Sequence, residues 1–593
     1  MNSKTTGIWL VIAAALLVFI FVCEHYLRPA VSGPTPLLPN LRPAAVTSVQ
    51  VFPAGVSADR TNGGWFLTKP VSYPAQAAAI EALLDALQKL APAKISAEEL
   101  REHKNPETEF GFENRQATLV IAAGDQSWQL KVGNKTAPGD QVYLNLPGVD
   151  GVFVADAGWL NLIPRTADEW RNTALVDAGA GGFDWIVLTN GARVIELRRD
   201  ATNHLWRMIR PLQARADTDH ITDALQRLET AAVTRFITDD AKTDASTFGL
   251  QPADLDLWLG RGTKLAASVH VGKSPANDAT QVYAKREGWN TVVTTAREPL
   301  APWRGAVNDF RDSRLFELTA PVAEIEVRGG NHFILREQGS NDWKIVDEKF
   351  PADADNVQLF IKTLASLRIA EFVKDAVTAP DLPDYGLAAQ QPQREIILRS
   401  KTGDTNAVVA QLTFGTNQDN KIFVRCAGED FIYAITMQDL NRLPEAGWEF
   451  RDRRIWDFNP DDVAQITIHQ GGKTRQIVHN GPGKWSLVVG SQGLIEGKYI
   501  EQTAQMFHDL TALVWVARNY ADPAQHGFAT NNLQITFELK SGEKDMVDFG
   551  AGSPQQQTGL GAVTLNGERW EFFFEPALYQ LVLSYFTIPA NVP

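Results

Sequence analysis

The run HVGKSPAND, residues 270–278, carries Gly272, Lys273 and Ser274 in the order that ends a phosphate-binding loop. Such a loop needs another glycine five residues before Gly272, so that backbone amides can turn in around the phosphates. Ala267 stands there. The ten histidines form no His-Glu-x-x-His or His-x-His pattern, so zinc-ligand spacing is missing. Asp353 and Asp355 precede a helical pattern without calcium-loop spacing and read as helix-start acids. Asp461 and Asp462 follow Asn459 and Pro460 and read as a turn. No Gly-x-Ser-x-Gly elbow occurs. A carboxylate pair for glycoside hydrolysis has spatial rather than sequential spacing and stays open. No residue is assigned a catalytic, cofactor-binding or metal-binding role, and no cofactor is expected.

Charge narrows the field of partners. The 593 residues hold 56 Lys plus Arg against 70 Asp plus Glu, a net charge of −14. No segment carries a basic stripe, so nucleic acid is not an expected partner. At about 100–200 residues per domain, the length predicts three to five domains. Cys23 and Cys426 are the two cysteines, and Cys23 lies in an N-terminal apolar run, so the fold must stand on its cores rather than on disulfides.

That run, residues 7–23, holds 17 uncharged residues after Lys4. As a helix it spans roughly 26 Å at about 1.5 Å per residue, enough for a hydrocarbon core. It exceeds the apolar core of about 7–15 residues usual in a cleaved signal peptide. Residues 1–28 are therefore expected to be a retained anchor contacting the lipid bilayer through residues 7–23. Lys4 favours an N-in orientation with the bulk of the chain outside the cytoplasm. Residues 29–46, with prolines at 29, 34, 36, 39 and 43, read as an extended spacer rather than a packed element.

The elements beyond residue 46 repeat. Trp65, Trp206, Trp343 and Trp485 lie in apolar strand-like runs 141, 137 and 142 residues apart. Gly111, Gly249, Gly386 and Gly527 follow them after 46, 43, 43 and 42 residues, each preceded by an aromatic or His. Each unit opens on a period-two strand: residues 48–52, 185–189, 324–328 and 465–469. Between tryptophan and glycine lies an amphipathic helix. Ile80, Leu83, Leu84, Leu87 and Leu90 share one face in the first unit, and Val357, Phe360, Ile361, Leu364 and Leu367 in the third. Asp353 can cap the third helix, as Asp217 or Thr218 can cap the second.

This pattern predicts an α+β chain: a transmembrane helix, then four tandem modules, each a mostly antiparallel sheet with one main covering helix. The modules are placed at 47–180, 181–320, 321–460 and 461–593.

The repeat also serves as an internal alignment. Gly272 aligns with Gly133, Gly415 and Gly550, each after an apolar residue and ahead of a strand. Lys273 has no lysine counterpart in the third and fourth units, so the element reads as a strand-to-strand turn and no nucleotide is expected. Phe310-Arg311-Asp312 and Phe450-Arg451-Asp452 close the second and third units, with Trp170-Arg171-Asn172 a weaker version in the first. The arginine and its neighbouring acid are expected to tie one unit to the next, and the four tryptophans to be core.

The N-terminal anchor, the Trp-x-[Ile/Val/Leu] strand, the aromatic-Gly-Leu step and the Phe-Arg-Asp-x-Arg close together resemble the bacterial family called domain of unknown function 4340. The likeness is best over residues 206–316 and 343–456 and weaker in the outer units. It implies an anchored, non-catalytic accessory to an ABC-type export or gliding-associated transporter, and it brings no catalytic residues. The expectation is thus a single-pass scaffold or binding protein of the bacterial inner membrane, its partners the membrane subunits of a transporter. The alternative is a glycan-directed binding protein or hydrolase of the envelope.

Overall fold

The computed structural model describes residues 15–16 and 35–588, except 178, 180, 389–392, 403–404, 492, 529–532 and 551–558. All of the 7–23 run but two residues thus lies outside the described residues. Among the described residues no helix is long and apolar enough to cross a membrane. The chain divides after Arg311 into two compact units, each built of two antiparallel sheets.

The first sheet shows the plan. Strands β1 (Ser48–Phe52), β2 (Val56–Thr61), β3 (Gly64–Lys69) and β4 (Tyr73–Pro74) form a meander to one edge. Helix α1 (Ala77–Lys89) then crosses one face of the sheet and delivers β5 (Ala93–Ile95) to the far edge. Strands β6 (Ala117–Ala123), β7 (Gln126–Lys135), β8 (Gln141–Asn145) and β9 (Val152–Asp156) fill the space between, giving the order β4-β3-β2-β1-β6-β7-β8-β9-β5. The opening strand β1 is therefore central and belongs to its own sheet, between β2 and β6. The second sheet repeats this nine-stranded order, and the third and fourth omit the counterpart of β4.

Side-chain periodicity accounts for both layers. Val49 and Val51 of β1 and Trp65 and Leu67 of β3 point to the helix, with their neighbours on the outer face. Ile80, Leu83, Leu84 and Leu87 of α1 are fully buried against them; each such burial stabilises by about 1.5–3 kcal/mol. Helices α2 (Thr218–Glu229), α3 (Ala354–Ser366) and α4 (Gly497–His508) occupy the same place. Asp217 and Asp353 accept the backbone N–H of His220 and Asn356 and so cap α2 and α3. The Thr218 hydroxyl instead accepts the Trp206 N–H at 2.9 Å.

Two boundaries differ from expectation. In the segment read as a spacer, Leu37, Leu38, Leu41 and Val46 are buried in the first core, and Leu37 N–H donates to Leu90 O at 2.7 Å. Four apolar side chains that can reach α1 outweigh a proline-rich composition. The cores of the first unit divide close to Arg171, since Trp170 belongs to the first and Leu175 and Val176 to the second. That division precedes residue 180.

Candidate functional site

The Gly-Lys-Ser element is a latch between strand and loop. Gly249 sits at φ 69°, a left-handed conformation that glycine adopts without strain. The carbonyl before it, Phe248 O, accepts the Lys273 N–H at 3.0 Å, while Gly272 N–H donates to Tyr283 O at 2.8 Å. Both amides are committed to the backbone and cannot cradle a phosphate. A Cβ on Gly272 would lie 2.1 Å from Phe248 O. The same approach is 2.1 Å from Gly133 to Phe110 O, 2.0 Å from Gly415 to Tyr385 O and 3.0 Å from Gly550 to His526 O. Both repeated glycines are thereby explained by one contact.

The four repeat tryptophans are core: Trp65, Trp206, Trp343 and Trp485 are 3%, 2%, 1% and 9% exposed. Sugar stacking on them is thereby ruled out.

The closing arginines join modules within each unit. Arg171 is buried, with its Nη2 2.6 Å from Asp239 Oδ2 of the second module. Its guanidinium lies over Tyr73 of the first module and Phe236 of the second. Arg451 lies over Phe350 of the third module and over Trp515 and Trp570 of the fourth. Burial lowers its pKa, and the neighbouring Arg518 adds to that effect. Arg518 carries the ion pairs there, to Glu348 at 2.5 Å and Glu568 at 2.9 Å. The residue after each closing arginine builds a turn. Asn172, Asp312 and Asp452 accept the N–H two residues on, from Ala174, Arg314 and Arg454, at 2.8, 2.9 and 3.0 Å.

In the first module, a cleft of about 500 Å³ opens between the β1–β2 turn, the start of β6 and the segment that follows β9. Phe52, Pro53, Leu160, Ile163 and Pro164 supply its apolar wall, and Lys135 and Arg165 its charges. In the other modules hydrogen bonds bridge the corresponding segments. Arg304 of the second stands seven residues before Arg311, as Pro164 does before Arg171. Its guanidinium reaches Gly272 O at 3.5 Å, while Asn190 of the first hairpin turn donates to Arg304 O at 2.9 Å. In the third, Arg394 donates to Pro444 O. Arg394 pairs with Phe414, the residue before the latch glycine, as Ala117 pairs with Val132. In the fourth, Ile588 N–H donates to Gln470 Oε1 at 2.6 Å. Burial lowers the pKa of both Arg304 and Arg394. Pro53, Ala117 and Pro164 hold these positions in the first module and line its cleft.

The fourth module departs at its outer face. In the other three the ring before the step glycine packs on a strand aromatic: Phe110 on Tyr143, Phe248 on Tyr283 and Tyr385 on Phe423, at 4.6, 4.8 and 5.0 Å. Buried Val152, Val292 and Ile432 line the same patches. In the fourth the step residue is His526, its ring bonded through Nδ1 to Glu571, which is wholly buried at the position of Val292. Arg569 stands 3.6 Å from Glu571 and 2.7 Å from Asp548, and Tyr520 stacks on His526 at 4.1 Å. Sequence reasoning missed this cluster because His526 and Glu571 are 45 residues apart; the His at an otherwise aromatic position was its only signal.

A third polar site, on the second sheet, holds His270 between Asp256 and Glu287 at 2.5 and 2.7 Å. Partial burial opposes its charged form, but bonds to both carboxylates outweigh this and raise its pKa. Both ring nitrogens are engaged, so His270 is a surface ion-pair centre rather than a base. Among the described residues no group of His, Cys, Asp and Glu could hold a metal ion.

Fold and junctions define a tandem array of sheet-and-helix modules whose recurring residues serve packing. The chain belongs to the family described as Domain of unknown function (DUF4340), whose model matches residues 65–204, 206–349 and 343–531. The matches start on Trp65, Trp206 and Trp343, so the first two each run from one repeat tryptophan into the opening strands of the next sheet. No curated protein and no solved structure matches the chain.

Proposed function

We propose that the chain is a non-catalytic scaffold held in the bacterial inner membrane by residues 7–23, with its modules outside the cytoplasm. Its partners would be the membrane subunits of an ABC-type or gliding-associated transporter. The observation that carries this reading is where the repeat invests its special residues. Tryptophans, step glycines, latch glycines and closing arginines all go into packing and junctions, which is the economy of an array that presents surface. Tandem modules gain avidity from several weak contacts. Crosslinking in intact membranes followed by affinity capture should recover transporter membrane subunits. Recovery of the chain alone, running as a free monomer in detergent, would overturn the scaffold.

A glycan-directed binding or hydrolytic role keeps one specific support. The fourth module alone brings Glu571 and Asp548 onto Arg569 beside a stacked Tyr520 and His526. This second reading expects Tyr520→Ala and Glu571→Gln to abolish retention or cleavage of envelope glycan. Wild-type protein that neither binds nor cleaves isolated peptidoglycan would end it.

A further inference from the structure

We propose that the first-module cleft binds a single-chain anionic amphiphile, its acyl chain along Phe52, Leu160 and Ile163 and its anionic head between Lys135 and Arg165. Three observations support the assignment. The first module lacks two side chains that bridge this place elsewhere: Ala117 and Pro164 stand where Arg394 bonds Pro444 O in the third module and Arg304 bonds Gly272 O in the second. The cleft's volume of about 500 Å³ falls within the roughly 300–1,000 Å³ usual for small-ligand sites, which combine apolar walls with a few placed polar groups. Its charge runs against the chain as a whole. Two cations and no carboxylate line it, in a protein with 70 acids to 56 bases. An anion therefore gains attraction from both cations of the lining, while the Glu169 carboxylate outside it accepts the Arg165 backbone N–H at 3.1 Å. Phe52 is 47% exposed at the rim, a large apolar group that a bound chain would cover.

The choice of a membrane amphiphile over a soluble anion rests on the anchor reading, since this module is the first after residues 7–23 in the chain. The charge and shape of the cleft do not depend on it.

The test uses the full chain in phosphatidylcholine nanodiscs and a long-chain carboxylic acid carrying a photoreactive diazirine. Crosslinked peptides are then mapped by mass spectrometry. Labelling is expected at residues 52–54 and 160–165, with competition by oleate. It should fall at least tenfold in the charge-inverted pair K135E/R165E, whose two side chains are surface-exposed. Ala117→Arg, which supplies the arginine of the third module, should abolish it. A long-chain alcohol probe should label the cleft weakly and should not respond to K135E/R165E. Equal labelling by alcohol and acid would reduce the cleft to apolar partitioning and overturn the proposal, as would absence of label there. Labelling by a short anionic diazirine as strong as by the long one would make the ligand a soluble anion, again overturning it. Protease accessibility of the C-terminal modules in spheroplasts tests the anchor separately.

Discussion

Arg171 Nη2 and Asp239 Oδ2 lie 2.6 Å apart and join two sheets that share no strand. The guanidinium is 2% exposed and the carboxylate 33%, and the Thr291 hydroxyl donates to the other Asp239 oxygen at 2.7 Å. Removing one member strands the other in a partly desolvated place. Arg171→Ala is expected to destabilise the first unit by about 3 kcal/mol, near the low end for a broken buried pair. Arg171→Lys should recover only part, because an ammonium cannot lie flat over Tyr73 and Phe236 while reaching Asp239. Urea unfolding followed by tryptophan fluorescence checks this. A wild-type midpoint in Arg171→Ala would make the junction ornamental.

The latch separates its glycine from its lysine in the same way. Gly272→Ala places a methyl 2.1 Å from a backbone carbonyl and should cost about 3 kcal/mol, the upper range for overpacking. Lys273→Ala should change stability by less than about 0.5 kcal/mol, as exposed substitutions do. Only the Lys273 backbone is used. Paired denaturation curves would reverse the assignment if the lysine variant proved the costlier.

Much of this architecture was legible in the sequence, for physical reasons. Period-two strands and the i, i+3, i+4 faces of α1 and α3 reflect burial on one side, so pattern and structure coincide. The recurring glycines were legible as turns, but their contact with each other was not, because it joins a loop to a strand 22, 23, 29 and 23 residues later in the four modules. The first-module cleft was invisible. Its lining comes from separate stretches, residues 51–54, 116–135 and 160–165, which only the fold brings together. Leu37, Leu38 and Leu41 were hidden by the prolines around them, since composition describes a segment's average and packing depends on which side chains can reach a core.

Asp545 gives the fourth sheet a pH dependence. Burial, with repulsion from Glu543, pushes its carboxyl up from 3.8 to about 6. The folded state then holds the proton more tightly than the unfolded state, so stability falls as pH rises from about 4 to about 6. Asp545→Asn, which stays neutral, should therefore gain roughly 1 kcal/mol at pH 7.5, discounting for partial exposure. The gain should vanish at pH 4. Urea midpoints at the two pH values decide it, and an equal gain at both would show that charge is not the cause.

The fourth module's buried ions make the sharpest test of what was selected there. His526 and Glu571 occupy positions that are Phe248 and Val292 in the second module, and a buried charge pair is often no more stable than the apolar pair it replaces. The double variant H526F/E571V should therefore be as stable as the parent, or more so by about 1–4 kcal/mol. Among the described residues, His526→Phe alone leaves Glu571 with the 3.6 Å contact to Arg569 and should lose about 3 kcal/mol. The two substitutions would then be strongly non-additive, as expected of residues in direct contact. Such an outcome means the charges were not kept for stability, and partner capture or glycan retention by the double variant shows what they serve. If the double variant is instead the less stable protein, His526 and Glu571 are structural, and the fourth module loses its claim to a separate chemistry.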